Sequence, residues 1–179
     1  MSQSATLYRI SQDSFRQLKN LNIKEDLDIS AMAKDYSVFQ GTFMALEYIL
    51  SKGRNTATAE LVNEIFSPTQ SLRREYFESL TEGEKLEFFE TGGNFIQFLN
   101  IGMVSKINGL LNNISEVDIR SRYDAEQLNA NRIYPEVWHN DNSPDQAYNE
   151  KHIVEDFKEL KSIFNQADND NDYILVFVG

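Results

Sequence analysis

Residues 150–178, EKHIVEDFKELKSIFNQADNDNDYILVFV, decide the fold, because an amphipathic helical pattern is followed there by a wholly apolar strand. Residues 173–178 are six apolar residues without alternation, which predicts a strand buried on both faces at the centre of a sheet. The preceding apolar residues recur at helical spacing and predict a helix over residues 150–167 with one wide apolar face: Ile153, Val154, Phe157, Leu160, Ile163, Phe164 and Ala167.

The acidic connection from Asp168 to Asp172 resembles the first half of a calcium-binding loop, with side-chain oxygens at its first, third and fifth positions. The sixth position should be glycine and is Tyr173, and the twelfth should be glutamate and is Gly179. The pattern therefore predicts a solvated helix-to-strand turn, with no calcium and no other cofactor.

Toward the amino terminus, residues 5–10 predict a strand, and Ser11 caps a predicted helix over residues 12–20 that buries Phe15 and Leu18. A 3-4-3-4 apolar spacing then predicts one long helix that starts at Asp28 or Ser30, contains Gly41 and stops at Gly53. Its buried stripe would consist of Tyr36, Phe39, Phe43, Leu46 and Leu50.

The middle of the chain predicts helices over residues 59–66 and 82–90, the second burying Leu86 and Phe89, and a strand over residues 95–99. Asn100 would cap a further helix, and residues 115–148 would form short helical pieces and ordered loop. Together these elements predict a single α+β domain over residues 1–179. A small mixed sheet would contain both terminal strands and pack against several amphipathic helices.

Charge and composition exclude several function classes. The chain has 179 residues, no cysteine, and a net charge of −11, so disulfides, cysteine zinc sites and cysteine nucleophiles are excluded. The excess of acidic side chains lies beyond residue 60. An acidic surface disfavours nucleic-acid binding and would attract a basic protein partner. The alternative is that the charge only keeps the protein soluble. No apolar run spans a membrane and no signal peptide is recognisable, so we expect a cytoplasmic protein.

Residues 133–139, IYPEVWH, gather two aromatic side chains, a carboxylate and an imidazole. Glu136 and His139 are the base and ligand that a hydrolase or metal site would use, and His152 is the only other histidine. No metal-binding spacing joins the two histidines. The segment therefore favours a structural role, with Tyr134 and Trp138 plugging the core.

Motifs for serine nucleophiles, phosphate loops and dinucleotide binding are absent from the sequence. The sequence therefore favours a non-enzymatic binding protein; the alternative is a small enzyme or ligand-binding protein with a pocket beside Tyr134, Glu136, Trp138 and His139. Aromatic residues with acidic neighbours are typical of protein-recognition surfaces. Those in the loop-rich segment are Tyr123, Asp124, Tyr134, Glu136, Trp138, His139, Asp141, Asp145 and Tyr148.

The Ile-Tyr-Pro-x-x-Trp motif at 133–138, the helix with Phe157 and Leu160, and the apolar last strand resemble the YfbM-like family of uncharacterised bacterial proteins. Residues 39–50, FQGTFMALEYIL, are similar to the first half of that family. The resemblance implies an α+β fold with both terminal strands in one sheet and a bacterial origin. It brings no activity, and only an analogy to acidic immunity- or inhibitor-like proteins.

Overall fold

The computed structural model describes residues 3–20, 28–90, 93–143 and 146–179. Its elements in chain order are β1 (Ser4–Ile10), α1 (Gln12–Asn20), α2 (Ile29–Met32), β2 (Asp35–Gln40), α3 (Phe43–Ser51), α4 (Thr56–Phe66), β3 (Ser71–Leu72), α5 (Arg74–Glu78), α6 (Glu82–Glu90), β4 (Ile96–Leu99), α7 (Ile101–Asn112), α8 (Glu116–Arg122), α9 (Ala125–Ala130), α10 (Glu150–Asp170) and β5 (Tyr173–Val178). The α+β prediction is confirmed. None of the helices among the described residues is long and apolar enough to cross a membrane.

The described strands form one sheet in the order β2-β1-β5-β4-β3, and every pairing is antiparallel rather than mixed. Both terminal strands belong to it, as predicted, and Ser4 and Gly179 exchange two backbone hydrogen bonds where β1 and β5 meet. β5 occupies the centre because its apolar residues contact layers on both faces: Ile174 belongs to the main core and Leu175 to the smaller one.

Helices α3, α4, α7 and α10 cover one face of the sheet and enclose the main core, in which Phe39, Phe66, Phe157 and Phe164 are almost fully buried. α1 covers part of the opposite face. There Phe15 stacks on Tyr173 with 3.8 Å between the ring centroids. The predicted apolar faces of α10 and of α1 are confirmed by this burial.

The prediction of one long helix from residue 28 to residue 53 is wrong. Residues 35–40 form edge strand β2, in which Ser37 and Phe39 are buried while Tyr36 and Val38 are about half exposed. The predicted helical pattern is correct only for α3. Residues 36–40 pair with β1 instead, and their side chains alternate between the two faces of the sheet. Gly41 (φ +74) turns the strand into α3, and Gly53 (φ +70) follows the end of α3.

Two smaller predictions also need correction. Helix α6 has the predicted bounds, but Leu86 and Phe89 are exposed and Phe88 is buried, because the chain at Gly93 passes directly over the Phe88 ring. The predicted helix-to-strand turn is shorter than expected: α10 continues through Asp168–Asp170, and only Asn171, in the left-handed region, and Asp172 connect it to β5.

The turn is not solvated throughout, however. The Asp172 side chain is only 2% exposed and pairs with Arg9 and Lys34, which also contact Asp170. The described residues contain no group of three side chains able to hold a metal ion.

Candidate functional site

The segment 133–139 is a rigid turn built around Trp138. The Trp138 indole N–H donates to the carbonyl of Ile133 at 2.8 Å, which closes the turn on itself. The side chain of Asn129 accepts from the Trp138 backbone N–H at 2.9 Å and donates to its carbonyl at 3.0 Å. Trp138 is 3% exposed, so its prediction as a core plug is confirmed. The same prediction for Tyr134 is wrong, because its ring is only partly buried outside the core and its hydroxyl bonds to Gln3. Because this anchor lies beneath the turn, the residues between its ends are held in place.

The outer side of the turn is exposed. Glu136 has a left-handed backbone (φ +63), and Val137 keeps half of its surface accessible. The His139 side chain is exposed as well. Among the described residues, no hydrogen bond or ion pair joins the Glu136 carboxylate to the His139 imidazole. The two side chains therefore do not form the linked acid–base pair that a hydrolytic site would use.

Tyr123 and Tyr148 tie the far end of the turn to the body of the protein. The Tyr123 hydroxyl donates to the carbonyl of His139 at 2.7 Å, and the His139 N–H donates to the carbonyl of Tyr148 at 3.0 Å. Burial raises the pKa of Tyr123 to about 12. The Tyr148 ring packs edge-on against Trp138 with centroids 5.7 Å apart. The aromatic residues of the predicted surface are therefore largely the scaffold of the turn.

The turn also contacts the end of β2. The Tyr134 hydroxyl accepts from the Gln3 N–H at 3.2 Å, and the Gln3 carbonyl accepts from the Gly41 N–H at 2.9 Å. A Cβ atom at Gly41 would lie 2.8 Å from Cε1 of Tyr148. Glycine is needed there for its positive φ and for this close approach. The sheet edge, the turn and the start of α10 consequently meet at one place.

A row of polar side chains on α10 faces β2 beside this junction. The Thr42 hydroxyl donates to the Asp156 carboxylate, and the Ser37 hydroxyl donates to Glu159 at 2.8 Å. Burial raises the pKa of Asp156, against the lowering effects of the Thr42 hydrogen bond and of nearby His152. Because both carboxylates are bonded to β2 or its end, the row fixes α10 on the sheet edge.

The sequence interpretation missed this row. Its signal is the spacing of His152, Asp156 and Glu159 along one border of the apolar face of α10. His152 has a positioning role: its Nδ1 accepts from the N–H of Tyr148 at 3.3 Å. The row therefore holds the start of α10 and Tyr148 in place beneath the turn.

The predicted acidic residues lie on the exposed rim. Asp124 caps α9 by accepting from the Gln127 N–H at 3.0 Å, and Asp141 accepts from the Ser143 N–H at 2.9 Å. Asp124, Glu136 and Asp141 form no ion pair within the described part of the chain. Asp145 lies outside the described residues. The structure thus gathers the predicted aromatic residues beneath the turn and leaves three carboxylates at its surface.

Comparison with known proteins identifies relatives without a known activity. Residues 1–177 match the family described as Domain of unknown function (DUF1877). The fold is similar to that of the crystal structure of YfbM from Escherichia coli, a protein of unknown function, with a TM-score of 0.61, 14% identity and complete coverage of both chains. No curated protein matches the sequence.

Proposed function

The chain belongs to the DUF1877 family, whose function is unknown, and from its site geometry we propose that it is a non-enzymatic module that binds a basic protein partner. Binding would use the turn surface, which we define as the exposed residues Asp124, Glu136, Val137, His139 and Asp141. The observation that carries the proposal is the turn anchored by Trp138, which presents Glu136, with Asp124 before it and Asp141 after it; none of these three carboxylates has a cationic partner among the described residues.

A rigid turn favours association because few side chains and backbone torsions must be ordered on binding. The anchor of Trp138 beneath the turn and the hydrogen bond from Tyr123 to His139 provide that rigidity. Val137, half exposed between Glu136 and Trp138, supplies an apolar contact at the middle of the turn surface. Such an apolar centre with a charged rim is the usual composition of a protein interface.

Charge makes a basic partner the complementary one. The sequence has 28 acidic and 17 basic side chains, so a positively charged protein is drawn to it over a long range, while an acidic one is repelled. The uncompensated carboxylates of the turn surface would then set the orientation of the bound partner. In the inhibitor-like form of the proposal, the partner is a basic toxin or enzyme whose activity falls on binding.

The test compares two triple variants of equal charge in pull-downs from the native host. The turn variant carries Asp124→Asn, Glu136→Gln and Asp141→Asn; the control variant carries Glu60→Gln, Glu78→Gln and Glu90→Gln, which are exposed carboxylates outside the turn surface. We expect the wild type and the control to capture the same basic protein and the turn variant to lose it. The rate at which the captured basic protein associates with the wild type should fall steeply as salt is added.

Two outcomes would contradict the proposal. Equal capture by the turn and control variants would show that the turn surface is not the binding site. An association rate that is indifferent to salt would show that charge does not guide the encounter.

A further inference from the structure

A cleft of about 410 Å³ opens beside strands β3, β4 and β5. It lies between the connection from α4 to β3, at Pro68 and Thr69, and the segment from Gly93 to Phe95 that leads into β4. The end of β5 contributes Val178. The size falls within the range of small-molecule sites, and none of the cleft residues belongs to the turn surface.

Half of the twelve described residues that line the cleft are apolar. Phe89 lines it with about half of its surface exposed, and Phe95 adds a second ring, while the ring of Phe177 packs against Tyr8 in the smaller core. Phe89 is fixed by its contacts with other rings, 5.2 Å from Phe77 and 6.1 Å from Phe95 between centroids. A large apolar side chain held at the mouth of a cleft is typical of a surface that receives an apolar ligand.

Arg74 carries the only charge among the residues that line the cleft. Its Nε–H donates to the Ser71 hydroxyl at 3.2 Å, and its guanidinium lies 5.5 Å from the centroid of the Phe95 ring. Arg74 forms no ion pair with any described residue, so both of its terminal nitrogens can donate to a ligand. A guanidinium with both terminal nitrogens available matches the two oxygens of a carboxylate.

From this arrangement we infer that the cleft binds a small organic carboxylate with an aromatic body. The carboxylate pairs with Arg74, and the aromatic body packs between Phe89, Phe95 and Val178. A second copy of the chain is a poor occupant, because each copy carries a net charge of −11 and would repel the other. The site is separate from the proposed protein-binding function.

The experiment uses 2-naphthoate as the probe and uncharged 2-naphthamide as its matched neutral analogue. Binding is measured by calorimetry and by methyl NMR signals of Val176 and Val178, which line the cleft. We expect saturable binding of naphthoate with a Kd at or below about 1 mM and shifts centred on those two valines. The amide should bind at least about tenfold more weakly, since it cannot form the charge-assisted pair.

The variant Arg74→Gln should weaken naphthoate binding at least about tenfold and leave amide binding unchanged. Arg16→Gln, which removes the same charge from exposed α1, should change neither. Arg74→Lys keeps the positive charge but lacks the paired N–H donors of a guanidinium, so it should give a Kd between those of the wild type and Arg74→Gln. This variant tests the site even if Arg74→Gln disturbs folding.

The inference would be overturned by equal affinity for the acid and the amide, or by an Arg74→Gln variant that binds naphthoate as the wild type does. Absence of binding to the wild type, or shifts centred away from the two valines, would also overturn it. The same holds if the valine signals shift with protein concentration alone, since a second copy would then occupy the cleft.

Discussion

Replacing Gly41 by alanine tests whether Tyr148 is held firmly against the end of β2. The new Cβ would lie 2.8 Å from Cε1 and 3.0 Å from the hydroxyl oxygen of Tyr148, at a backbone φ of +74°. Gly53 provides a matched control at the opposite end of the same helix. Its φ is +70°, and a Cβ there would meet nothing within 4 Å. The two substitutions share the backbone cost and differ in the contact with Tyr148.

The expected magnitudes follow from these two terms. A left-handed backbone costs an alanine about 1–2 kcal/mol, and the lower entropy of the unfolded chain returns about 0.4–1 kcal/mol. Gly53→Ala should therefore reduce the free energy of unfolding by about 1 kcal/mol. Forcing a methyl group against the Tyr148 ring adds about 1–3 kcal/mol of overpacking. Gly41→Ala should then cost about 2–4 kcal/mol in total.

Urea unfolding followed by fluorescence measures both costs, since Trp138 is the only tryptophan and is buried against Tyr148. In a thermal melt, each kcal/mol should lower Tm by about 2–4 °C for a chain of this length. Tyr148→Leu removes the ring atoms that the new methyl group would meet. In that background, Gly41→Ala should cost no more than Gly53→Ala does.

Equal costs for Gly41→Ala and Gly53→Ala in the otherwise unchanged protein would refute this reasoning. That result would mean that the Tyr148 ring moves aside freely. The contact between the sheet edge and the turn would then be too loose to hold the turn surface in one arrangement, and the proposed preorganisation would lose one of its supports.

The remaining predictions concern buried ionisable groups. Asp172→Asn should cost about 3 kcal/mol in urea unfolding, because it leaves Arg9 and Lys34 with only the half-exposed Asp170 as an ionic partner. Asp170→Asn should cost little, because the nearly buried Asp172 still pairs with both cations; similar losses would contradict this. Burial raises the pKa of Glu47. The Glu47 carboxyl therefore stays protonated in the folded state at pH values where it is already ionised in the unfolded state. The free energy of unfolding falls as the pH rises through that interval. Glu47→Gln should accordingly gain stability relative to the wild type between pH 4 and about pH 7, and a constant difference in urea unfolding would oppose this. The pKa of Tyr123 is raised to about 12. Tyrosine ionisation is followed by absorbance at 295 nm in the wild type and in Tyr123→Phe, and the difference between the two titration curves should have its midpoint near pH 12. A midpoint near pH 10 would show that Tyr123 is not buried.

The elements that could be predicted from sequence are those whose pattern fits one structure only. The six apolar residues of β5 and the long apolar face of α10 are of this kind. The pattern around β2 fits two structures, since residues 36, 39 and 43 match a helical stripe while residues 36–40 also match a strand. Pairing with β1 decides between them, and that pairing joins residues 26 to 36 positions apart.

The candidate site divides in the same way. The anchoring role of Trp138 is local, because its hydrogen-bond partners lie within nine residues, and it was predicted. The bond between Thr42 and Asp156 spans 114 residues, and neither residue type indicates the other. Exposure was equally hard to predict for α6, because Phe88 and Phe89 both contact Phe77 and Phe95 and only Phe88 is covered by the chain at Gly93.

The two proposed sites share no residue, which makes their failures distinguishable. The turn is bonded to Gln3, just ahead of β1, whereas the cleft is lined by residues of β3, β4 and β5. Arg74→Gln should therefore leave capture of the basic protein unchanged, and the triple turn variant should bind naphthoate as the wild type does. If either variant lost both activities while keeping its free energy of unfolding, the sites would be energetically coupled across β1 and β5. A partner-bound protein would then have a different affinity for naphthoate, by the same factor in both directions.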